Sequence, residues 1–274
     1  MATVEAEVRT VVTDAFKMDY CRFGQGEENL VIIPGLSVQS VMSQADAIAQ
    51  AYEHLAEDYT VYLFDRRKDL PESYSIEDMA RDTTEALRAL DLEPVYLFGT
   101  SQGGMIAMEM AVEYPEMVRK LALGSTAARV TEGRSGVIEE WIRLAEAGDP
   151  EGLYLSFGEA VYPKDAFEAS RDLLAEAAKT VTEDELEHFI ILAKGTPGFD
   201  VLDDLEKISC PVLVIGDRDD RVLGGDASVE IADRLKDNAG SGLYMYDGYG
   251  HAVYDLAPDY KERLLRFFRD GKTD

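Results

Sequence analysis

A serine flanked by glycines is the strongest sign of chemistry in this 274-residue sequence. Ser101 is the centre of Gly99-Thr100-Ser101-Gln102-Gly103, which follows an apolar run at residues 95–98 and precedes helical apolar spacing at residues 103–113. A sharp turn from a strand into a helix would expose the serine oxygen at a helix N-terminus, where developing negative charge is favoured. The pattern therefore predicts a nucleophile at Ser101, with a glycine-rich connecting turn as the alternative.

A serine nucleophile needs a base within hydrogen-bond reach, and the sequence has only three histidines. His54 and His188 fall inside predicted helices, where a structural or exposed role is expected, with contact to a pocket as the alternative for His188. His251 follows Gly248-Tyr249-Gly250, in a loop after the apolar run at residues 243–246. A glycine-flanked loop after a strand is the natural place for a catalytic histidine, so we predict His251 as the base.

The acid that orients the histidine is expected in a loop at the carboxyl end of a neighbouring strand. Asp217, Asp219 and Asp220 all follow the apolar run at residues 212–215, and spacing alone does not choose among them. A metal-binding loop is the other reading of this cluster. It is disfavoured because Arg218 and Arg221 would repel a cation and the EF-hand pattern is missing.

The elements around these residues indicate an α/β protein with a mostly parallel, doubly wound sheet. Short apolar runs without alternation are typical of strands buried on both faces. They lie at residues 30–33, 61–64, 95–98, 120–123, 212–215 and 243–246. Segments whose apolar residues recur with the period of a helix separate these runs, at residues 47–56, 76–90, 103–113, 226–235 and 260–268. Ser75 is predicted to cap the second of these helices.

The pattern changes to helices alone between Thr126 and about Leu205. Helices are predicted at residues 136–147, 167–179 and 182–194, and the last opens with a capping box, Thr182-x-x-Glu185. A helical insert between two strands indicates a cap over the sheet. We therefore predict a core of residues 1–125 and 206–274 and a helical cap of residues 126–205.

Several of these motifs together resemble the α/β-hydrolase superfamily, over residues 20–274. Ile33-Pro34-Gly35-Leu36 is similar to the family's oxyanion loop, and Phe64-Asp65-Arg66 to the end of its fourth strand. Gly216-x-x-Asp219 is similar to the acid loop, and Gly250-His251 to the histidine loop. The resemblance implies the α/β-hydrolase fold and the chain order serine, acid, histidine.

The same resemblance selects the remaining site residues. It implies Asp219 as the acid of a triad with Ser101 and His251, and the backbone N–H groups of Leu36 and Gln102 as the oxyanion hole. The implied mechanism forms an acyl-enzyme on Ser101 that water then hydrolyses. It requires no cofactor and no metal.

Composition limits the partners. The formal net charge of −27, from 54 acidic and 27 basic residues, disfavours nucleic acid and anionic membranes. Cys21 and Cys210 have no ligand or redox spacing and are expected to be small buried hydrophobes. The first ten residues contain acids and no apolar run, so no signal peptide is predicted, and no stretch is long and apolar enough to span a membrane. A cytoplasmic protein that acts on a small molecule is expected.

The expected function is hydrolysis of a small, fairly hydrophobic ester, with aromatic residues of the cap bordering the pocket or forming the cap's own core. The alternatives keep the fold and triad for thioester or C–C bond hydrolysis or for perhydrolysis, or make the chain a ligand-binding member. A dinucleotide-dependent oxidoreductase is disfavoured because no Gly-x-Gly-x-x-Gly follows the first strand. A serine at position 101 excludes a haloalkane dehalogenase, and the oligomeric state is not predicted.

Overall fold

A computed structural model describes residues 5–273, which form one eight-stranded sheet covered by helices. The strand order is β1-β2-β4-β3-β5-β6-β7-β8, with β1 and β2 antiparallel to their neighbours and the other strands parallel. The strands are β1 (Glu7–Val12), β2 (Lys17–Phe23), β3 (Glu28–Ile33), β4 (Tyr59–Arg67), β5 (Val95–Thr100), β6 (Val118–Gly124), β7 (Val212–Asp217) and β8 (Gly242–Tyr246). Residues 1–4, at the start of the segment judged not to be a signal peptide, and residue 274 lie outside the described residues.

Helices connect most of the strands and cover both faces of the sheet. Those of the core are α1 (Ala45–Ala51), α2 (Ile76–Ala89), α3 (Gln102–Glu113), α8 (Gly225–Arg234), α9 (Val253–Leu256) and α10 (Tyr260–Asp270). Between β6 and β7 lie α4 (Glu132–Glu146), α5 (Pro150–Val161), α6 (Lys164–Ala178) and α7 (Glu183–Lys194). We call residues 126–205 the cap segment. Within the described residues, no helix is both long enough and apolar enough to cross a membrane.

The apolar runs all form strands, and those inside the sheet are buried on both faces, as their lack of alternation predicts, whereas the run in the edge strand β8 is mostly half-buried. In β3, Leu30 and Ile32 belong to one buried cluster, whereas Val31 and Ile33 belong to the cluster on the opposite face. Strand β7, which lies next to the edge strand β8, is divided between the two clusters in the same way. Successive side chains of a strand point to opposite faces, so each such strand contributes to both cores.

Local capping signals in the sequence are confirmed. The Ser75 hydroxyl accepts a hydrogen bond from the backbone N–H of Asp78, and the Asp78 side chain accepts one from the Ser75 N–H. The same reciprocal pair links Thr182 and Glu185 at the start of α7. Both pairs satisfy N–H groups that the first turn of a helix leaves without partners, and so they set where α2 and α7 begin.

The cap segment contains one helix, α5, that was not predicted from the sequence. Glycines at positions 152 and 158 weaken its intrinsic helix preference, so propensity alone gives a poor signal. Gly158 is there because a Cβ atom would overlap the Leu174 side chain and meet Phe167 at 3.1 Å, where α5 packs on α6. Trp141 of α4 stacks on Phe157 of α5 with ring centroids 4.3 Å apart, so both aromatic residues belong to the cap's own core.

Two further differences concern the edges of the fold. The antiparallel pair β1 and β2 was not predicted, because β1 is almost entirely exposed and has no apolar run. The first core helix ends at Ala51, and exposed His54 lies in the turns that follow rather than within a helix.

Cys21 and Cys210 are buried free thiols, as expected, and burial raises the pKa of each to about 11.

Candidate active site

Ser101 lies in the sharp turn between β5 and α3, in a backbone conformation that non-glycine residues rarely adopt. Its φ is 51° and its ψ is −123°. Such a conformation costs about 1–3 kcal/mol and persists only where the surroundings impose it. Here the Ser101 N–H donates to the Gly124 carbonyl at 2.9 Å, and the Ser101 carbonyl accepts from the Thr126 hydroxyl at 2.7 Å.

The glycines beside Ser101 are required by close backbone contacts. A Cβ atom at Gly99 would overlap the carbonyl of Gly103, and one at Gly103 would overlap the carbonyls of Ile33 and Pro34. The contact between Gly99 and Gly103 lies within the turn, and the contact of Gly103 with Ile33 and Pro34 packs the loop after β3 against the start of α3. The Gly-x-Ser-x-Gly spacing therefore has a steric cause, and it brings two loops together at Ser101.

His251 and Asp220 complete a hydrogen-bonded row with the serine. His251 Nε2 lies 2.9 Å from Ser101 Oγ, and His251 Nδ1 lies 2.9 Å from Asp220 Oδ2. His251 is 2% exposed and Asp220 is 8% exposed. The three residues come from the loops after β5, β7 and β8, at the carboxyl ends of parallel strands. The structure thus brings together Ser101 and His251 as predicted.

The choice of Asp219 as the partner of His251 is corrected to Asp220. Asp219 is exposed, and its carboxylate accepts from the backbone N–H of Gly248 at 2.9 Å. Asp217 is fully buried and accepts from the N–H groups of Asp219 and Tyr249. Both carboxylates hold the acid loop and the histidine loop in place, and Asp220 alone of the three contacts His251.

The carboxylate of Asp220 is held ionised by its hydrogen bonds. Besides His251, it accepts from the N–H groups of Val222 at 2.8 Å and Leu223 at 3.2 Å. Burial opposes ionisation, but the interaction with His251 and these backbone bonds outweigh it, and the pKa of Asp220 lies below its ordinary value. The one sequence signal for Asp220 is its position two residues before the apolar pair Val222-Leu223, whose N–H groups donate to it.

Leu36 and Gln102, the predicted oxyanion donors, flank Ser101. We call residues 34–40 the oxyanion loop. A Cβ atom at Gly35 would lie 3.0 Å from Ser101 Cβ, so this loop passes directly beside the serine. Within the described residues, neither the Leu36 N–H nor the Gln102 N–H donates to a protein acceptor. Both groups are therefore available to an oxygen atom bound at Ser101.

The side chain of Gln102 joins the site to the cap segment. Its amide nitrogen donates to the Leu192 carbonyl at 2.7 Å and to the Thr196 hydroxyl at 2.9 Å. Its amide oxygen lies 3.4 Å from Nη2 of Arg66, which also donates to the Pro34 carbonyl at 2.8 Å. The sequence leaves two roles open for Arg66, contact with substrate and hydrogen bonding at the end of a strand. The structure adds that it bridges the oxyanion loop and the residue after the serine.

The acid loop is also attached to the cap segment. Arg221, next to Asp220, donates to the carbonyls of Glu159 and Tyr162 at 2.5 and 2.6 Å, at the C-terminal end of α5. His188 is exposed on α7 and, like His54, does not contact Ser101. Of the three histidines, His251 is the one that lies within hydrogen-bond distance of Ser101.

Comparisons with known proteins agree with this architecture. Residues 30–262 match the model of the alpha/beta hydrolase family. A relative named putative carbamate hydrolase RutD, from Rhizobium rhizogenes strain K84, is 27% identical over 237 residues, which cover 81% of this chain and 87% of the relative.

Two solved structures share the fold. The alpha/beta hydrolase MGS-M2 from a Medee basin deep-sea metagenome library superposes with a TM-score of 0.84 at 21% identity, over 97% of this chain and 98% of that chain. The enol-lactonase from Burkholderia xenovorans LB400 superposes with a TM-score of 0.80 at 17% identity, over 95% of this chain and 99% of that chain.

Proposed function

The chain belongs to the alpha/beta hydrolase family, and from that premise we propose that it is a serine hydrolase that cleaves a small ester through an acyl-enzyme on Ser101. The observation that carries the proposal is the row Ser101 Oγ, His251, Asp220, with 2.9 Å at each step. A serine hydroxyl hydrogen-bonded to a buried imidazole, itself held by a carboxylate, is the arrangement that activates serine as a nucleophile.

In this mechanism Ser101 Oγ attacks the carbonyl carbon while His251 Nε2 takes its proton. The N–H groups of Leu36 and Gln102 donate to the oxygen that becomes negative, and His251 then gives the proton to the leaving alcohol. Water, deprotonated by the same imidazole, releases the acid and restores the serine. Asp220 holds the Nδ1 proton and stabilises the imidazolium that forms in each half of the reaction.

The substrate class is supported by chemistry common to the named neighbours. A carbamate hydrolase and an enol-lactonase are both named for substrates in which an acyl carbon is bonded to oxygen or nitrogen. The buried site under a helical cap favours a small molecule over a polymer. Thioester or C–C bond hydrolysis, perhydrolysis and ligand binding are the competing uses of the same residues.

The test is hydrolysis of p-nitrophenyl esters of increasing acyl length by the natural chain, Ser101→Ala and the exposed-serine control Ser73→Ala. Losing a triad nucleophile lowers kcat on the order of 10⁴ to 10⁶-fold, whereas the control is expected to match the natural chain. Labelling by a fluorophosphonate probe gives a second readout, since only an activated serine reacts. Ester turnover that survives in Ser101→Ala contradicts the proposal. An unlabelled Ser101 without ester turnover indicates a ligand-binding protein instead.

A further inference from the structure

A cavity of about 320 Å³ lies between the oxyanion loop, the end of β4 and helix α7 of the cap segment. Its apolar wall consists of Val38, Leu70, Phe189 and Leu192, and its charged residues come mainly from the end of β4. Its volume is at the lower end of small-ligand pockets, which run from about 300 to 1,000 Å³.

Two of the basic groups in this cavity are paired with carboxylates. Lys68 Nζ lies 2.8 Å from an Asp19 oxygen, and Arg67 Nη1 lies 3.3 Å from an Asp82 oxygen. Arg67 also donates to the backbone carbonyls of Ala15 and Asp69. Neither side chain therefore needs a ligand to neutralise its charge.

Two acidic groups in the cavity are also occupied by hydrogen bonds. Asp65 accepts from the Ser40 hydroxyl at 2.5 Å and from the Arg66 N–H at 2.8 Å, and its negative charge acts on the Arg66 guanidinium without forming an ion pair with it. Glu185 accepts from the Thr182 N–H at 2.8 Å and from the Gln39 amide at 3.0 Å.

Arg66 differs from these groups because its charge is buried without a carboxylate. It is 8% exposed, and within the described residues no Asp or Glu oxygen lies within 4.0 Å of its guanidinium. Of its five N–H donors, Nη2 serves Pro34 and Gln102, while Nε is buried without any partner. Burial lowers the pKa of Arg66, but a guanidinium stays protonated at neutral pH. Removing one charge from water without a counter-ion is strongly unfavourable, and a bound anion would offset that cost.

We propose that this cavity is a substrate subsite in which Arg66 binds a carboxylate, so that the preferred ester carries a carboxylate at the far end of a short apolar acyl chain. The inference rests on the proposed function, because it places the ester carbonyl at Ser101. Arg66 is hydrogen-bonded to Pro34 and Gln102, in the two segments that carry the predicted oxyanion donors, so a carboxylate bound to it would lie beside the segments that flank Ser101. A planar guanidinium matches a planar carboxylate through paired hydrogen bonds.

The charged residues around the cavity favour a ligand that carries a single negative charge. Asp19, Asp65 and Glu185 also line the cavity, and the whole chain carries a net charge of −27. A dianion such as a phosphate monoester would be repelled by this surrounding field, whereas a single carboxylate is balanced by the one unpaired guanidinium. The apolar wall would contact the methylene groups between the two ends of the substrate.

The kinetic test compares mono-p-nitrophenyl glutarate with p-nitrophenyl valerate, which differ by a terminal carboxylate. The natural chain should have at least a tenfold higher kcat/KM for the glutarate. In Arg66→Met, both values should fall because the contacts with Pro34 and Gln102 are lost, but the glutarate value should fall at least tenfold further than the valerate value, since only the glutarate also loses a charge-assisted contact. Arg119→Met is the matched control, because Arg119 is an exposed residue paired with Glu28 far from the cavity. Equal losses on the two esters in Arg66→Met, or no glutarate preference in the natural chain, would overturn the proposal.

A binding measurement separates this inference from the proposed function. Ser101→Ala is titrated by calorimetry with monomethyl glutarate and with methyl valerate, alone and combined with Arg66→Met. The half-ester should bind at least tenfold more tightly, and only while Arg66 is present. If no ester is hydrolysed but this preference is found, the hydrolase proposal fails and the carboxylate subsite stands. If the two ligands bind Ser101→Ala equally, the subsite proposal fails whatever the esterase result.

Discussion

Replacing Asp220 by asparagine tests which of three neighbouring aspartates serves His251. The carboxylate accepts three hydrogen bonds, from His251 Nδ1 and from the N–H groups of Val222 and Leu223. An asparagine can keep the two backbone bonds through its oxygen, and this places its NH₂ group against Nδ1. An NH₂ group only donates, so Nδ1 must accept and the imidazole proton moves to Nε2.

That tautomer cannot take the proton of Ser101, whose oxygen lies 2.9 Å from Nε2. The loss of a correctly oriented base is about 10⁴-fold in kcat, which corresponds to about 5.5 kcal/mol of transition-state stabilisation. Asparagine has almost the shape of aspartate, so the melting temperature should change little. The fall in activity is therefore expected without unfolding.

The assay is p-nitrophenyl ester hydrolysis under saturating substrate, with Asp219→Asn as the matched control. Asp219 is exposed and contacts only the Gly248 N–H among the histidine-loop groups, so its variant should keep at least a third of the activity. Circular dichroism and thermal melting show whether each variant is folded. A folded Asp220→Asn that retains a tenth of the activity, or an Asp219→Asn that falls as far, would falsify the assignment of Asp220.

Two further predictions concern the elbow and a half-buried acid. Gly103→Ala should lose at least 100-fold in ester kcat/KM and about 3 kcal/mol of stability, because its methyl group collides with backbone carbonyls of the oxyanion loop. Gly136→Ala is its control, because nothing lies within 4 Å of a Cβ atom there, and its free energy of unfolding should rise by up to about 1 kcal/mol. If chemical denaturation shows that Gly136→Ala is destabilised and Gly103→Ala is not, the steric explanation is contradicted. Burial and nearby acids raise the pKa of Glu109 from 4.5 to about 7, so the native chain holds a proton that the unfolded chain releases, and stability falls as pH rises through this range. Glu109→Gln should therefore melt about 2 °C above the natural chain at pH 8 and together with it at pH 4.5, and equal melting at both pH values would exclude the titration.

Much of the fold was predictable because its signals are local. The strands buried on both faces are continuous apolar runs, and the caps of α2 and α7 depend on residues three positions apart. The missed elements have weak local signals: β1 is exposed at an edge, and α5 contains two glycines, of which Gly158 lies where α5 packs on α6.

The candidate site likewise contains residues that local sequence patterns predict and residues whose contacts depend on tertiary packing. By itself the sequence identified the turn that carries Ser101 and the loop that carries His251, because the glycine pattern and the adjacent strands lie within a few residues of each. Only the tertiary structure decided between Asp219 and Asp220, which lie 32 and 31 positions before the histidine and differ in the side of the loop they face. Only the tertiary structure also shows that Arg66 is buried without an ion-pair partner. Its burial and pairing depend on the hydrogen bonds that Asp65 makes and on where α7 packs over the cavity. Side-chain pairing between distant loops is set by three-dimensional packing, and no local pattern in the chain encodes it.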